Sequence, residues 1–253
     1  MEQHYFNIND AGLNIRCKLY SEGRGDVKTL VIFGHGFGGH KDNRAAERFA
    51  KHVLEKNHGV ALLTFNWPCH GDDVRKTLRL FDCDAYLSAV LSWAKARYPD
   101  ARLFGYATSF GGYLFLKYIS EHGDPFLKTA LRCPAVVLYD VIFGSIMTDA
   151  ERERIRKGKP VSVGFDRKVE IDKAFLDSVR EADIAGRDFL PYADDLFILH
   201  GTADEIVPFD AVKAFAENNV IDFEPIENAD HRFRSPEKTD LATAKICAFF
   251  GLR

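Results

Sequence analysis

Three residues far apart in the chain could together do nucleophilic chemistry: Ser109, Asp204 and His231. A serine hydroxyl is a poor nucleophile unless a histidine takes its proton, and that histidine needs a carboxylate to hold it in the productive tautomer. Ser109 lies in Leu103-Phe104-Gly105-Tyr106-Ala107-Thr108-Ser109-Phe110-Gly111-Gly112-Tyr113, where an apolar run suited to a buried strand passes through one hydroxyl and two glycines into a helical pattern. So sharp a strand-to-helix turn strains the serine backbone and leaves room only for small residues two before and two after it. Ala107 and Gly111 meet that demand. Read as G-x-S-x-G the pentapeptide lacks its first glycine, and by itself it fits a serine in any glycine-rich turn equally well.

The rest of the chain supplies the partners. Leu196-Phe197-Ile198-Leu199 runs into His200-Gly201-Thr202-Ala203-Asp204-Glu205, so Asp204 belongs to a loop at the carboxyl end of a strand, where open α/β sheets collect their ligand sites. One strand later, after residues 221–226, comes Asn228-Ala229-Asp230-His231-Arg232-Phe233, again a loop just past a strand. Glu205 and Asp230 compete for the acid's place; Glu205 comes one residue late, and Asp230 adjoins His231 and should point away from its ring. The oxyanion that forms during attack needs waiting N–H donors. The residue after the nucleophile, Phe110, offers one, and Phe37 in His35-Gly36-Phe37-Gly38-Gly39 offers the other, on a loop whose glycines allow it to turn. His35 and His40 read as residues that brace the loop, since no third ligand is spaced with them for a metal, and His70 reads as a loop-bracing hydrogen bonder. Trp67 reads as packing, and nothing presents Cys69 on a turn as a nucleophile.

These residues need a scaffold of alternating strands and helices. Runs at 30–33, 60–65, 103–104 and 196–199 are apolar on both faces, as strands of a parallel sheet covered on each side must be. Residues 4–9 and 13–20 instead alternate around Asp10-Ala11-Gly12, the pattern of an antiparallel hairpin with one wet face. Ala46, Phe49, Ala50, Val53 and Leu54 recur at helical spacing, as do Tyr86, Val90 and Trp93, and the helix opened by Ser109 is apolar nearly all round. The alternation breaks over about 140–187, which reads as an inserted cap of a charged helix, a small hairpin around Gly164 and a capped helix from Asp172. Arg152, Arg154, Arg156, Lys157 and Lys159 of the charged helix are expected to form its solvated outer face, the other reading being a guide for anionic substrates.

With 253 residues and a net charge of -3, the chain suits a single α/β domain, 1–253, and lacks the basic stripe of a nucleic-acid binder. No apolar run reaches the roughly 18 residues of a membrane span, and residues 1–5 do not begin a signal peptide, so a cytoplasmic protein is expected. Five scattered cysteines without a C-x-x-C pair argue against disulfides and thiolate metal sites. No cofactor and no metal are expected, and the pattern leaves a homodimer open.

His35-Gly36-Phe37-Gly38-Gly39, Pro68-Cys69-His70-Gly71-Asp72, Ser109-Phe110-Gly111-Gly112, Gly201-Thr202-Ala203-Asp204 and Asp230-His231 together resemble the α/β-hydrolase family, in which the order Ser, Asp, His is the one used. Within it, the His-Gly-Phe loop and the composition of the insert are similar to bacterial cinnamoyl and feruloyl esterases. The resemblance implies a Ser109-Asp204-His231 triad, oxyanion amides from Phe37 and Phe110, and an acyl or aryl pocket under the cap. Ala107-Thr108 before the serine and Phe110 after it depart from those esterases. The expected activity is hydrolysis of small carboxylic esters, with a preference for aromatic ones suggested by Phe37, Phe110, Phe143 and Phe165. Thioester or small-peptide hydrolysis by the same residues, or ligand binding without catalysis, are the alternatives.

Overall fold

The computed structural model describes every residue except 24 and 166. The N-terminal hairpin, β1 (Glu2–Asp10) and β2 (Leu13–Ser21), turns through Ala11 and Gly12, both at positive φ (45° and 82°). β3 (Thr29–Gly34) and β4 (Val60–Phe65) are buried at every position. Between them α1 (Arg44–Lys56) starts on the Asn43 side chain, which accepts from the N–H groups of Ala45 and Ala46. It turns Ala46, Phe49, Ala50, Val53 and Leu54 inward, the residues its spacing singles out. α2 (Leu80–Arg97) precedes β5 (Arg102–Thr108), and α3 (Phe110–His122) follows the serine. α3 is so enclosed that even Lys117 is buried, its Nζ held at 2.5 Å from both Asp84 and Glu121.

β6 (Lys128–Arg132) leads into the insert. There α4 (Leu138–Asp140) runs into a π-helical turn over Val141–Ile146, and α5 (Asp149–Arg156) opens on a Thr148–Glu151 capping box. β7 (Val161–Val163) pairs antiparallel with β8 (Val169–Ile171), and α6 (Lys173–Glu181) is capped by Asp172. Arg79 grips the same Asp172 with two bonds of 2.8 and 2.6 Å, and Thr77 donates to Glu170, which ties the insert to the start of α2. Val163, Val169, Ile171 and Phe175 join the main core. The alternation then resumes with β9 (Leu196–Gly201), α7 (Phe209–Asn218), β10 (Asp222–Ile226) and α8 (Pro236–Phe250).

Among the described residues, eight strands form one sheet in the order β1-β2-β4-β3-β5-β6-β9-β10, antiparallel around β2 and parallel from β4 to β10. One face packs on α1 and α8; the other packs on α2, α3, α7 and the insert. The register sets Thr108 beside Arg132, Arg132 beside Leu199, and Gly201 beside Ile226. The loops after β5, β9 and β10 therefore leave the sheet at one rim. Among the described residues no helix is long and apolar enough to cross a membrane.

Just past α3, Asp124 accepts the Phe126 N–H with Oδ1, while Oδ2 is buried without a partner. Burial, helped by Asp195 and opposed by the Phe126 N–H, pushes its carboxyl up to about 6. A folded-state value above the unfolded one means stability present at low pH and lost as pH rises to about 6. Asp124→Asn should therefore raise the melting temperature at pH 8, by the equivalent of about 1–3 kcal/mol, and change it little at pH 4. Thermal unfolding of both proteins at the two pH values checks this.

Candidate active site

The site begins with a backbone under strain. Ser109 has φ 52° and ψ -115°, a conformation L-residues adopt only when their surroundings enforce it. The enforcement is visible: its N–H donates to the Arg132 carbonyl at 3.0 Å, and its own carbonyl accepts from Tyr113 and Ala135. α3 then passes so close to β3 that a Cβ on Gly111 would lie 2.4 Å from the Gly34 oxygen. Ala107 is fully buried beneath the turn. The small residues read from the sequence are thus required by contact.

His231 reaches across from the loop after β10, with Nε2 3.0 Å from Ser109 Oγ. Its Nδ1–H donates to Asp204 Oδ2 at 2.7 Å, which leaves Nε2 to accept the serine proton. The Asp204 side chain is closed to solvent, and its Oδ1 accepts the N–H groups of Ile206 and Val207. Burial opposes its charge, but hydrogen bonds from His200, His231 and Val207 outweigh that and hold its carboxyl far below the usual range. The competing acids have other duties. Glu205 accepts the His231 backbone N–H at 3.1 Å, and Asp230 turns to Arg234 at 2.8 Å.

His200 is a partner the sequence reading missed. Its Nε2 lies 3.2 Å from Asp204 Oδ2 and 3.1 Å from the Val207 carbonyl. The signal was a histidine closing an otherwise apolar buried strand four residues before the acid. Donor atoms of Cys133, His200 and Asp204 lie within 4.8 Å of one another. Those of His200 and Asp204 are already spent on this hydrogen-bond network, and burial pushes the Cys133 thiol well up.

Facing the serine, the 36–39 turn closes with a Gly39 N–H to Gly36 carbonyl bond of 2.9 Å, and Gly38 has φ 73°. Among the described residues the N–H groups of Phe37 and Phe110 donate to nothing. The histidines brace this loop as expected. His35 donates through Nδ1 to the Gly36 carbonyl and accepts the Trp67 N–H through Nε2, while Trp67 Nε1–H returns to the His35 carbonyl. His70 donates to the Pro68 carbonyl and lies against the rings of Phe37 and Phe110, and burial pushes its imidazole down to about 4. His40 accepts the Asp42 N–H. Cys69, against expectation, does sit on a turn, at φ 65°; burial and the nearby Asp73 push its thiol up to about 12, so it stays protonated.

A cleft of about 980 Å³ opens over Ser109 and His231. Two of the four aromatic residues expected around it are there, Phe37 and Phe165. The Phe110 side chain is instead fully buried against Phe37 of the 36–39 loop, and Phe143 stacks on Tyr139 away from the cleft. The basic residues of α5 also lie elsewhere. Arg152 caps the carbonyls of Phe143, Gly144 and Met147, and Lys157 pairs with Glu153. The positive charge at the cleft comes from arginines on other segments, Arg44, Arg132, Arg167 and Arg232 among them.

A mostly parallel sheet, helices on both faces and a strained serine at the carboxyl end of β5 define the class, an α/β-hydrolase fold. The chain belongs to the alpha/beta hydrolase family, whose profile matches residues 31–241. No match to it is found among curated proteins. Among solved structures it is similar to Est1E from Butyrivibrio proteoclasticus with ferulic acid bound, at TM-score 0.74 and 20% identity over 97% of this chain and 99% of that one. It is also similar to the mouse alpha/beta hydrolase domain-containing protein 10 (TM-score 0.71, 16% identity, 98% of each chain). A third is a serine hydrolase without lid from Xanthomonas campestris (0.66, 16%, 99% and 94%). At these identities the likeness is one of fold.

Gly111→Ala tests the close approach. The added methyl meets backbone atoms, which cannot rotate aside, so stability should fall by about 1–3 kcal/mol. Gly144→Ala, where a Cβ meets nothing within 4 Å, is the control and should cost less. Equal melting temperatures for the two would show that the turn is not held as described.

Proposed function

We propose that the protein is a serine hydrolase that cleaves small carboxylic esters through an acyl-enzyme. The observation that carries this is the unbroken relay from Ser109 Oγ to His231 Nε2 at 3.0 Å and from His231 Nδ1 to Asp204 at 2.7 Å, set beside two undonated amides. Ser109 Oγ attacks the ester carbonyl as His231 takes its proton; Asp204 holds the imidazole and offsets its positive charge. The carbonyl oxygen gathers negative charge, which the N–H groups of Phe37 and Phe110 receive. The bond to the alcohol then breaks, and His231 returns the proton to the departing oxygen. Water repeats the sequence on the acyl-enzyme, freeing the acid and Ser109.

The insert serves in this reading as a cap, since Ile146, Phe165 and Arg167 come from it to line the cleft. A preference for aromatic esters of the cinnamoyl or feruloyl type is supported by Phe37 and Phe165 and by the fold shared with Est1E. Faster turnover of methyl ferulate than of short alkyl esters is the expected result, and equal rates would remove that preference.

A fluorophosphonate probe should label the protein and fail to label Ser109→Ala; a ligand binder without catalysis would take no label in either form. Asp204→Asn should lower kcat by about 10³–10⁴-fold. Because the base works neutral, kcat/KM should fall in acid and rise toward neutral pH. Asp204, held far below the usual carboxylate range, is already ionised there and adds no second step. A flat rate from pH 5 to 8 would contradict the assigned base.

A further inference from the structure

Arg132 is the last residue of β6, and its strand neighbour Ala130 packs in the core on the α1 and α8 face of the sheet. Its side chain follows that face to the floor of the cleft, which Ser109 and His231 also line. The residue is only 7% exposed. Such a guanidinium is ordinarily paired, because burying an uncompensated charge is costly. Here, among the described residues, it makes no hydrogen bond and no ion pair, and its buried Nε is without a partner. What it has is a ring: Cζ stands 5.0 Å from the centre of Phe233. Phe233 is itself held at φ 52°, an unusual conformation for so bulky a residue, at the end of the loop that carries His231. The ring stiffens the guanidinium without neutralising it.

Among the described residues the surroundings add no missing carboxylate. Arg48 takes Asp240 and Arg234 takes Asp230, so those acids are engaged by other arginines. Asp42, the one acid on the cleft wall among the described residues, is bound by Lys18. Arg44 and Arg167, on the same wall, have no hydrogen-bond or ion-pair partner among the described residues. Beside Arg132 in the sheet register stands Thr108, a hydroxyl directly before the serine, facing the same cleft.

We infer that the cleft is built for esters that carry a separate anionic group, a carboxylate in the first instance, which docks on the Arg132 guanidinium beside the Thr108 hydroxyl while Ser109 attacks the ester carbonyl. The inference rests on the hydrolase reading for the reaction and on Arg132 alone for the class of substrate. A planar carboxylate matches the two parallel donors of a guanidinium, and a phosphate can use the same fork.

The test compares matched esters, the mono-p-nitrophenyl ester of glutaric acid against p-nitrophenyl butyrate, with an ester of similar length ending in phosphate as a third arm. The wild type should favour an anionic ester by at least about tenfold in kcat/KM, and which one leads identifies the group. Arg132→Met, which keeps the stem over Phe233, should erase the ratio; Arg132→Lys, which keeps charge but not the fork, should leave part of it. Equal turnover of anionic and neutral esters by the wild type, or a ratio that survives Arg132→Met, overturns the inference. Glutarate binding to Ser109→Ala, read by calorimetry against neutral glutaramide, separates the two levels: the anion site is expected to bind glutarate whether or not any ester is cleaved, and no binding counts against it. Fluorophosphonate labelling reports on the nucleophile independently.

Discussion

The constraint on which the structure depends is the near-contact between α3 and β3, where Gly111 leaves no space for a side chain against the Gly34 carbonyl. That contact fixes where the helix starts, and the start of the helix fixes Ser109 in a conformation it would not choose. Strain of this kind persists only when the surroundings supply more stabilisation than it costs. They do so through an apolar helix buried almost all round and through a backbone pinned to Arg132, Tyr113 and Ala135. The hydroxyl is presented at the rim because the core beneath it is closely filled.

A second constraint is electrostatic. Asp204 keeps its charge with its side chain closed to solvent because four donors converge on it, two backbone amides and two imidazoles. Removing any one would leave a buried charge short of a partner, which is why His200 belongs to the site although it touches neither Ser109 nor the cleft. Glu205, beside the acid, anchors the backbone of His231, so neighbouring residues on one loop fix both the ring and the chain that bears it.

Much of this was legible in the chain. The order Ser109, Asp204, His231 behind three strands, the glycine loop at Phe37, and the insert with its helix, hairpin and capped helix follow local patterns, and local patterns are what a sequence carries. The misreadings concern direction. Phe110 and Phe143 are expected among the aromatic residues around the cleft, yet Phe110 turns its ring into the core and Phe143 stacks on Tyr139. Cys69 lies on a turn whose positive φ no glycine announces. His200 and Arg132 end runs that read as apolar strands, and their parts emerge only when register sets neighbouring strand ends side by side. Basic residues clustered in sequence on α5 lie off the cleft, whereas arginines scattered over several segments gather at it.

The hairpin of the insert carries one more implication. A Cβ at Gly38 would come within 2.8 Å of the Arg167 carbonyl, so the loop between β7 and β8 rests directly on the turn that holds Phe37. In the proposed reaction this couples selectivity to turnover: a change near Arg167 that admits a bulkier molecule would also shift the turn whose Phe37 amide is proposed to receive the developing charge, so wider access would come with slower chemistry.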